Sequence, residues 1–200
     1  MKIENPHNIR SMNTAFAKKI NKHLTKLDFA KAITIAETNL QKLPATPFHE
    51  VIGKSFISQA PDVAKWVQDF FDRAAKKFKV KCFYFEMNEF DINTDRWYID
   101  AFVYTRDGGL DLEDMEWLCD MQGVSKKIFI LEGFNKLQKA FKSSKKKTDA
   151  EDWCEQIIIA RFMELMHAAH VIATQKKLKW AKCPIYFTEH EYNFIVRSKV

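Results

Sequence analysis

The chain is 200 residues long and contains only five glycines, five prolines and four cysteines. So few glycines leave little material for tight turns, which argues against an all-β sandwich built of many short strands. The glycines, Gly53, Gly108, Gly109, Gly123 and Gly133, never form G-x-G-x-x-G or G-x-x-x-x-G-K-[ST]. Phosphate cradles of the Rossmann and P-loop kinds are therefore excluded. G-x-S-x-G is also missing, and with it the nucleophile elbow of α/β-hydrolases. Cys82, Cys119, Cys154 and Cys183 lie far apart, with no C-x-x-C or C-x-x-H pair. That removes zinc-finger and thioredoxin chemistry. A chain this long builds a core without staples, so four free thiols in a reducing compartment are expected. Residues 1–8 hold no apolar h-region, and uncharged runs fall short of the ~18 residues of a membrane span. These absences lead to the expectation of a cytoplasmic protein without a signal peptide or membrane association.

What is present is aromatic and unevenly charged. Hydrophobic residues make up 46% of the chain, and seventeen of the residues are Phe. That is ample apolar area for a core. The net charge is +6, yet residues 86–120 hold eleven acids against Arg96 and Arg106, a local charge of −9. The remainder therefore carries +15. A surface of one sign attracts the other, so this sorting points to partner surfaces and identifies no reaction.

Periodicity outlines the elements. Ile9, Met12, Phe16, Ile20, Leu24 and Leu27 form a helical stripe, and Phe29, Ile33, Ala36, Leu40 and Leu43 a second one capped by Asp28. Pro61 and Asp62 open a helix over residues 61–78. The pattern then alternates. Residues 80–90 and 96–105 are rich in Phe, Tyr and Trp and predict two antiparallel strands, and Asp107-Gly108 signals a hairpin turn. After that turn, residues 110–119 read as a third strand, with a helix that aligns Leu112, Met115, Leu118 and Cys119 as the alternative. Residues 128–131 suggest a short strand, and Phe134, Leu137 and Phe141 a helix. The cationic segment 142–148 is expected to be a solvated linker before a long helix over 149–175. Residues 185–197 suggest a bent strand or a hairpin. The predicted fold is α+β in one domain: a mostly antiparallel sheet packed against long helices, with residues 1–79 mostly helical and the N-terminal helices packed as an extension.

The constellations that could carry chemistry are sparse. Glu164, His167 and His170 sit three apart on a helix, but carboxylate-bridged metal bundles need a second such pair, which the chain lacks. A solvated helix face is expected instead. Glu189, His190 and Glu191 alternate sides on a strand and do not converge. The acids of 107–120 do not match a calcium-loop register. No catalytic residue, metal site or cofactor is implied.

The strand 97–105 is more informative. One face carries Trp97, Ile99, Ala101 and Val103, the other Tyr98, Asp100, Phe102 and Tyr104. The first suits a core. The second suits either cover by a second helical layer or a protein interface; RNA fits less well, because acids there repel phosphates and the basic signature of an RNA-binding sheet is missing. The leading expectation is a non-enzymatic module for a basic protein partner. Trp97, Tyr98, Tyr104 and Trp117 would supply area, and Asp111, Glu113, Asp114 and Glu116 electrostatic steering. An inhibitor of a basic enzyme, in the manner of bacterial immunity proteins, is one form, by analogy of charge alone. The alternatives are nucleic-acid binding through Lys145, Lys146 and Lys147, and an enzyme or metal-binding protein whose site is built from distant residues.

Overall fold

A computed structural model describes residues 7–88, 96–110, 116–190 and 194–200, with side chains from Phe16 onward. The chain runs α1 (His7–Leu24), α2 (Phe29–Gln41), α3 (Ala60–Ala74), β1 (Cys82–Met87), β2 (Tyr98–Tyr104), β3 (Gly123–Val124), β4 (Phe129–Ile130), α4 (Asn135–Ser143), α5 (Asp149–Gln175), β5 (Ile185–Glu189) and β6 (Val196–Ser198). The fold is α+β, as the switch in periodicity near residue 80 implied. Among the described residues the strands form one sheet in the order β3-β2-β1-β5-β6, with β4 also paired to β2. All pairs are antiparallel except β1 with β5.

The helix ends follow from their caps. The Asp28 carboxylate accepts from Lys31 N at 3.2 Å to start α2. Thr148 Oγ1 accepts from Glu151 N at 3.3 Å to start α5, and Asp149, Glu151 and Asp152 complement the positive end of that helix. Pro61 occupies the first turn of α3, where no N–H is needed.

Helix α5 is the centre of the molecule. Helices α2 and α3 pack on it, and β5 and the N-terminal helix α1 also touch it. It is buried on nearly every side, from Trp153 and Ile157 through Phe162 and Met166 to Ala173. A helix enclosed in this way has no solvated stripe. Among the described residues it is also the one helix long and apolar enough, by length and composition, to cross a membrane, and here it is a core helix. One apolar core runs from Ile20 to Val196 and includes the inner sheet residues Phe83, Phe85, Ile99, Ala101 and Val103.

Two segments depart from expectation. Of the expected strand 110–119, residues 116–119 form a 3-10 turn, and residues 111–115 lie outside the described residues. The third strand comes later, at β3. The segment 142–148 is not wholly solvated either. Ser144 Oγ donates to Glu151 at 2.8 Å, and Lys147 Nζ lies 3.1 Å from Glu155 and 3.6 Å from Asp152.

Candidate functional site on the outer face of the sheet

Strand alternation sends one side of the sheet to the helices and the other outward. The register then places the outward side chains in rows. Tyr186, Tyr84, Phe102 and Val124 lie side by side across β5, β1, β2 and β3. The next row holds Thr188, Glu86 and Asp100. The row beyond it pairs Tyr98 with Ile130. Behind the first row, Cys82 faces Tyr104. Rows stand ~7 Å apart, two residues of strand rise. An acidic row is thus flanked on both sides by aromatic and aliphatic ones.

The two ends of this face differ. At the Cys82–Tyr104 end, Trp117 from the 3-10 turn lies edge-on to Tyr104 (centroids 5.0 Å) and Tyr186 (5.2 Å). Its back is flat against Gly108, where an added Cβ would come within 2.2 Å of the indole. Only glycine fits there. Asp107 fastens this cover: its carboxylate accepts from Tyr186 Oη at 2.5 Å, from Gly109 N at 3.2 Å and from Arg197 Nη2 at 3.0 Å. Tyr104 Oη donates to Leu118 O at 2.9 Å. Burial, followed by the Asp107 charge, pushes the Cys82 thiol up to about 12, so it is no nucleophile. An open depression of ≈ 470 Å³ beside Trp117 is lined by Tyr104, Arg106, Cys119, Asp120 and Met121, among others, and no histidine reaches it.

The other end is open. Val124 and Ile130 are 46% and 39% exposed, and Tyr98 and Phe102 are half-buried. Between them, Glu86 accepts from Tyr84 Oη at 2.8 Å and meets His190 Nδ1. Asp100 stands directly across from Glu86. Burial and the Glu86 charge raise its pKa above the usual carboxylate value, with His190 opposing. Like charges in such cross-strand positions are destabilising.

The expected interface residues therefore separate. Tyr98 lies on the open end. Trp97 does not: it is fully buried on the inner side against Phe134 and Phe141 (5.9 and 5.8 Å). Tyr104 and Trp117 are also buried, within the covered end. Alternation placed Trp97 among core residues, and its large area belongs there. Glu116 is exposed at the start of the 3-10 turn, whereas Asp111, Glu113 and Asp114 lie outside the described residues. Phe102, Val124, Ile130, Glu86 and Asp100 take their place. Alternation already put Phe102 and Asp100 on this face, but Val124 and Ile130 required the pairing of two-residue strands with no sequence signal of their own.

The helix histidines have a structural role. His170 Nε2–H donates to Ala181 O at 3.0 Å, which leaves Nδ1 to accept from Ser198 Oγ at 3.0 Å. His167 Nδ1–H donates to the same oxygen at 2.8 Å. The His170 ring stacks on Trp180 at 5.3 Å. The arrangement resembles a hydrolytic dyad, but Ser198 and His170 are fully buried and no substrate reaches them. Burial lowers the His170 pKa to about 4. Glu164 pairs with Arg161 at 3.0 Å. The expected solvated helix face is therefore mostly enclosed. Among the described residues no three His, Cys, Asp or Glu side chains converge on a metal position. Lys145 and Lys146 are exposed. Lys147 is committed to Glu155, whose carboxyl burial raises to about 7.

No family model, curated protein or solved structure matches this chain.

Proposed function

We propose that the protein is a binding module that docks a basic protein partner on the open end of its outer sheet face. The observation that carries this reading is the exposure of Val124 and Ile130 beside the half-buried Tyr98 and Phe102, around the acidic pair Glu86 and Asp100. Apolar residues clustered on a sheet face and bordered by charge mark interaction sites. The carboxylates of Glu86 and Asp100 on this face draw a basic partner toward it and raise its association rate. Occlusion of a basic enzyme is one concrete form. The lysine route to nucleic acid has less support, because Lys147 is held in an ion pair with buried acids.

The test is capture from nuclease-treated native lysate, with wild type compared with Val124→Asp/Ile130→Asp. The expected result is a basic protein retained by wild type, lost by the double variant, and associating more slowly as salt rises. A partner bound equally by both proteins, or one lost on nuclease treatment, rejects this face as the interface.

A further inference from the structure

We infer that the partner anchors on this face with an arginine side chain set over the Glu86–Asp100 row, and that it docks against the face without extending the sheet. This rests on the docking reading above and specifies its chemistry.

The charge complementarity comes first. Glu86 and Asp100 are neighbours in register, so the fold holds two carboxylates together. Glu86 is engaged at both oxygens, by Tyr84 and His190. The Asp100 carboxylate makes no ion pair or hydrogen bond among the described residues. It is half-buried on a sheet, with no long side chain of its own to carry it into water. A cation brought by a partner relieves both the repulsion and the unmet acceptor capacity. Lys126 and Lys127, in the segment between β3 and β4, form no ion pair with it among the described residues either.

The geometry then favours a guanidinium. Tyr98 and Phe102 stand two residues to either side of Asp100 on the same face, and Tyr84 packs on Phe102 at 5.8 Å. A cation over Asp100 therefore has aromatic surface before and behind it. A guanidinium is planar, stacks on such rings and forms paired hydrogen bonds to a carboxylate, whereas a lysine ammonium is a strongly hydrated point charge. Val124 and Ile130 lie beyond the two aromatic rings. The matching partner segment carries apolar residues on both sides of its arginine.

The sheet edge explains the docking mode. β2 pairs with β3 at Phe102–Val124 and with β4 at Tyr98–Ile130, so residues 125–128 bulge opposite Asp100 and Ala101. The bulge is fixed: Ser125 N donates to Ala101 O at 2.8 Å, and both Ser125 Oγ and Trp66 Nε1 donate to Lys127 O, at 2.9 and 2.8 Å. It leaves two-residue edge strands flanking exposed Lys126 and Lys127. Short strands, bulges and lysines are how sheets refuse an added strand. At this edge, the one beside Asp100, side chains on the face are what remain for a partner to use.

The experiment uses the full chain and three capped peptides, Val-Val-Arg-Val-Val and the same sequence with lysine or citrulline in the centre. Citrulline keeps the shape of arginine and removes the charge. Binding is read from proton shifts of the tyrosine and phenylalanine rings. The expected order is arginine above lysine above citrulline, with at least a tenfold gap between the first and last, and a loss of about tenfold for the arginine peptide in Asp100→Asn. Glu86→Gln is the second variant and should give a smaller loss. Equal binding of the arginine and citrulline peptides, or binding unchanged in both variants, overturns the proposal. The two readings also fail separately. A captured partner that still requires Val124 and Ile130 but is indifferent to Asp100→Asn overturns the arginine anchor and keeps the docking face. Arginine selectivity that depends on Asp100, with a partner indifferent to Val124→Asp/Ile130→Asp, keeps the anchor and rejects the wider face.

Discussion

The two faces of one sheet have the same backbone and opposite fates. On the inner face Phe83, Phe85, Ile99, Ala101 and Val103 have no exposure at all, and Trp66, Phe70 and Phe71 of α3 pack on Phe83 and Phe85. On the outer face the neighbouring positions in the same strands are Tyr84, Glu86, Tyr98, Asp100 and Phe102, and among the described residues a cover lies over the Cys82–Tyr104 end alone. The inner face stabilises the fold. The outer face holds two like charges together and leaves apolar side chains in water, which an isolated stable domain has no reason to do. That contrast separates residues buried for folding from those the proposed docking would use, and it can be broken by experiment.

The largest effect should come from the two tryptophans compared. Trp97→Ala empties a fully buried inner-face site and should cost ~3–5 kcal/mol in urea unfolding. Trp117→Ala removes a ring that covers an outer-face cluster and should cost about 2 kcal/mol. Equal costs would mean that the covered outer end is a second core, not a cap. Gly108→Ala sharpens the point. Its Cβ would come within 2.2 Å of the Trp117 ring, so the substitution should destabilise wild type by ~1–3 kcal/mol and do almost nothing in the Trp117→Ala background. Two changes that act through one contact are not additive.

A comparable loss should appear with acid on the inner side. His170 accepts from Ser198 only while Nδ1 is bare, and its folded pKa of about 4 lies below the ordinary 6.5. A depressed histidine pKa means that the unfolded chain binds the proton first. The stability it contributes is full above pH 6.5 and is lost as pH falls toward 4, by ~3 kcal/mol in all. Glu155, raised to about 7, runs the other way and gains on acidification. The isolating measurement is therefore the difference between wild type and His170→Gln, taken by urea unfolding at pH 7 and pH 4.5. The variant should lose less than wild type between the two. If both fall in parallel, the Ser198 contact is not what acid breaks.

These expectations also show where sequence stopped being sufficient. Alternation separated Trp97, Ile99, Ala101 and Val103 from Tyr98, Asp100, Phe102 and Tyr104, and the strands bear out that division of faces. The limits of α5 were equally legible: the helix expected over 149–175 runs Asp149–Gln175. Its surroundings were not. A helical wheel assumes one wet side, and α5 has helices or sheet on nearly all of them, so Glu164, His167 and His170 read as a solvated face although His170 is fully buried. The outer site was half legible. Ser198 meets His167 across 31 residues of chain, and Val124 meets Phe102 through a two-residue strand. Contacts made by so few residues at such separations leave no periodic trace.

The smallest stability effect belongs to the acidic row, and its sign is the informative part. Asp100 has a pKa raised by burial and by Glu86. A raised carboxylate pKa means that the folded state holds the proton more tightly. Stability is therefore greatest below the ordinary aspartate range and is lost as pH rises through the folded pKa, and at neutral pH the charged form is a cost. Asp100→Asn should leave the melting temperature unchanged or raise it by a degree or two, a few tenths of a kcal/mol in a domain of this size. Val124→Ser should likewise stay within ~0.5 kcal/mol of wild type. Paired with weaker partner binding, such neutral or positive shifts identify residues that serve recognition at the fold's expense. A melting temperature that falls by several degrees in Asp100→Asn would instead make the carboxylate part of the scaffold and move the division between the two faces away from the acidic row.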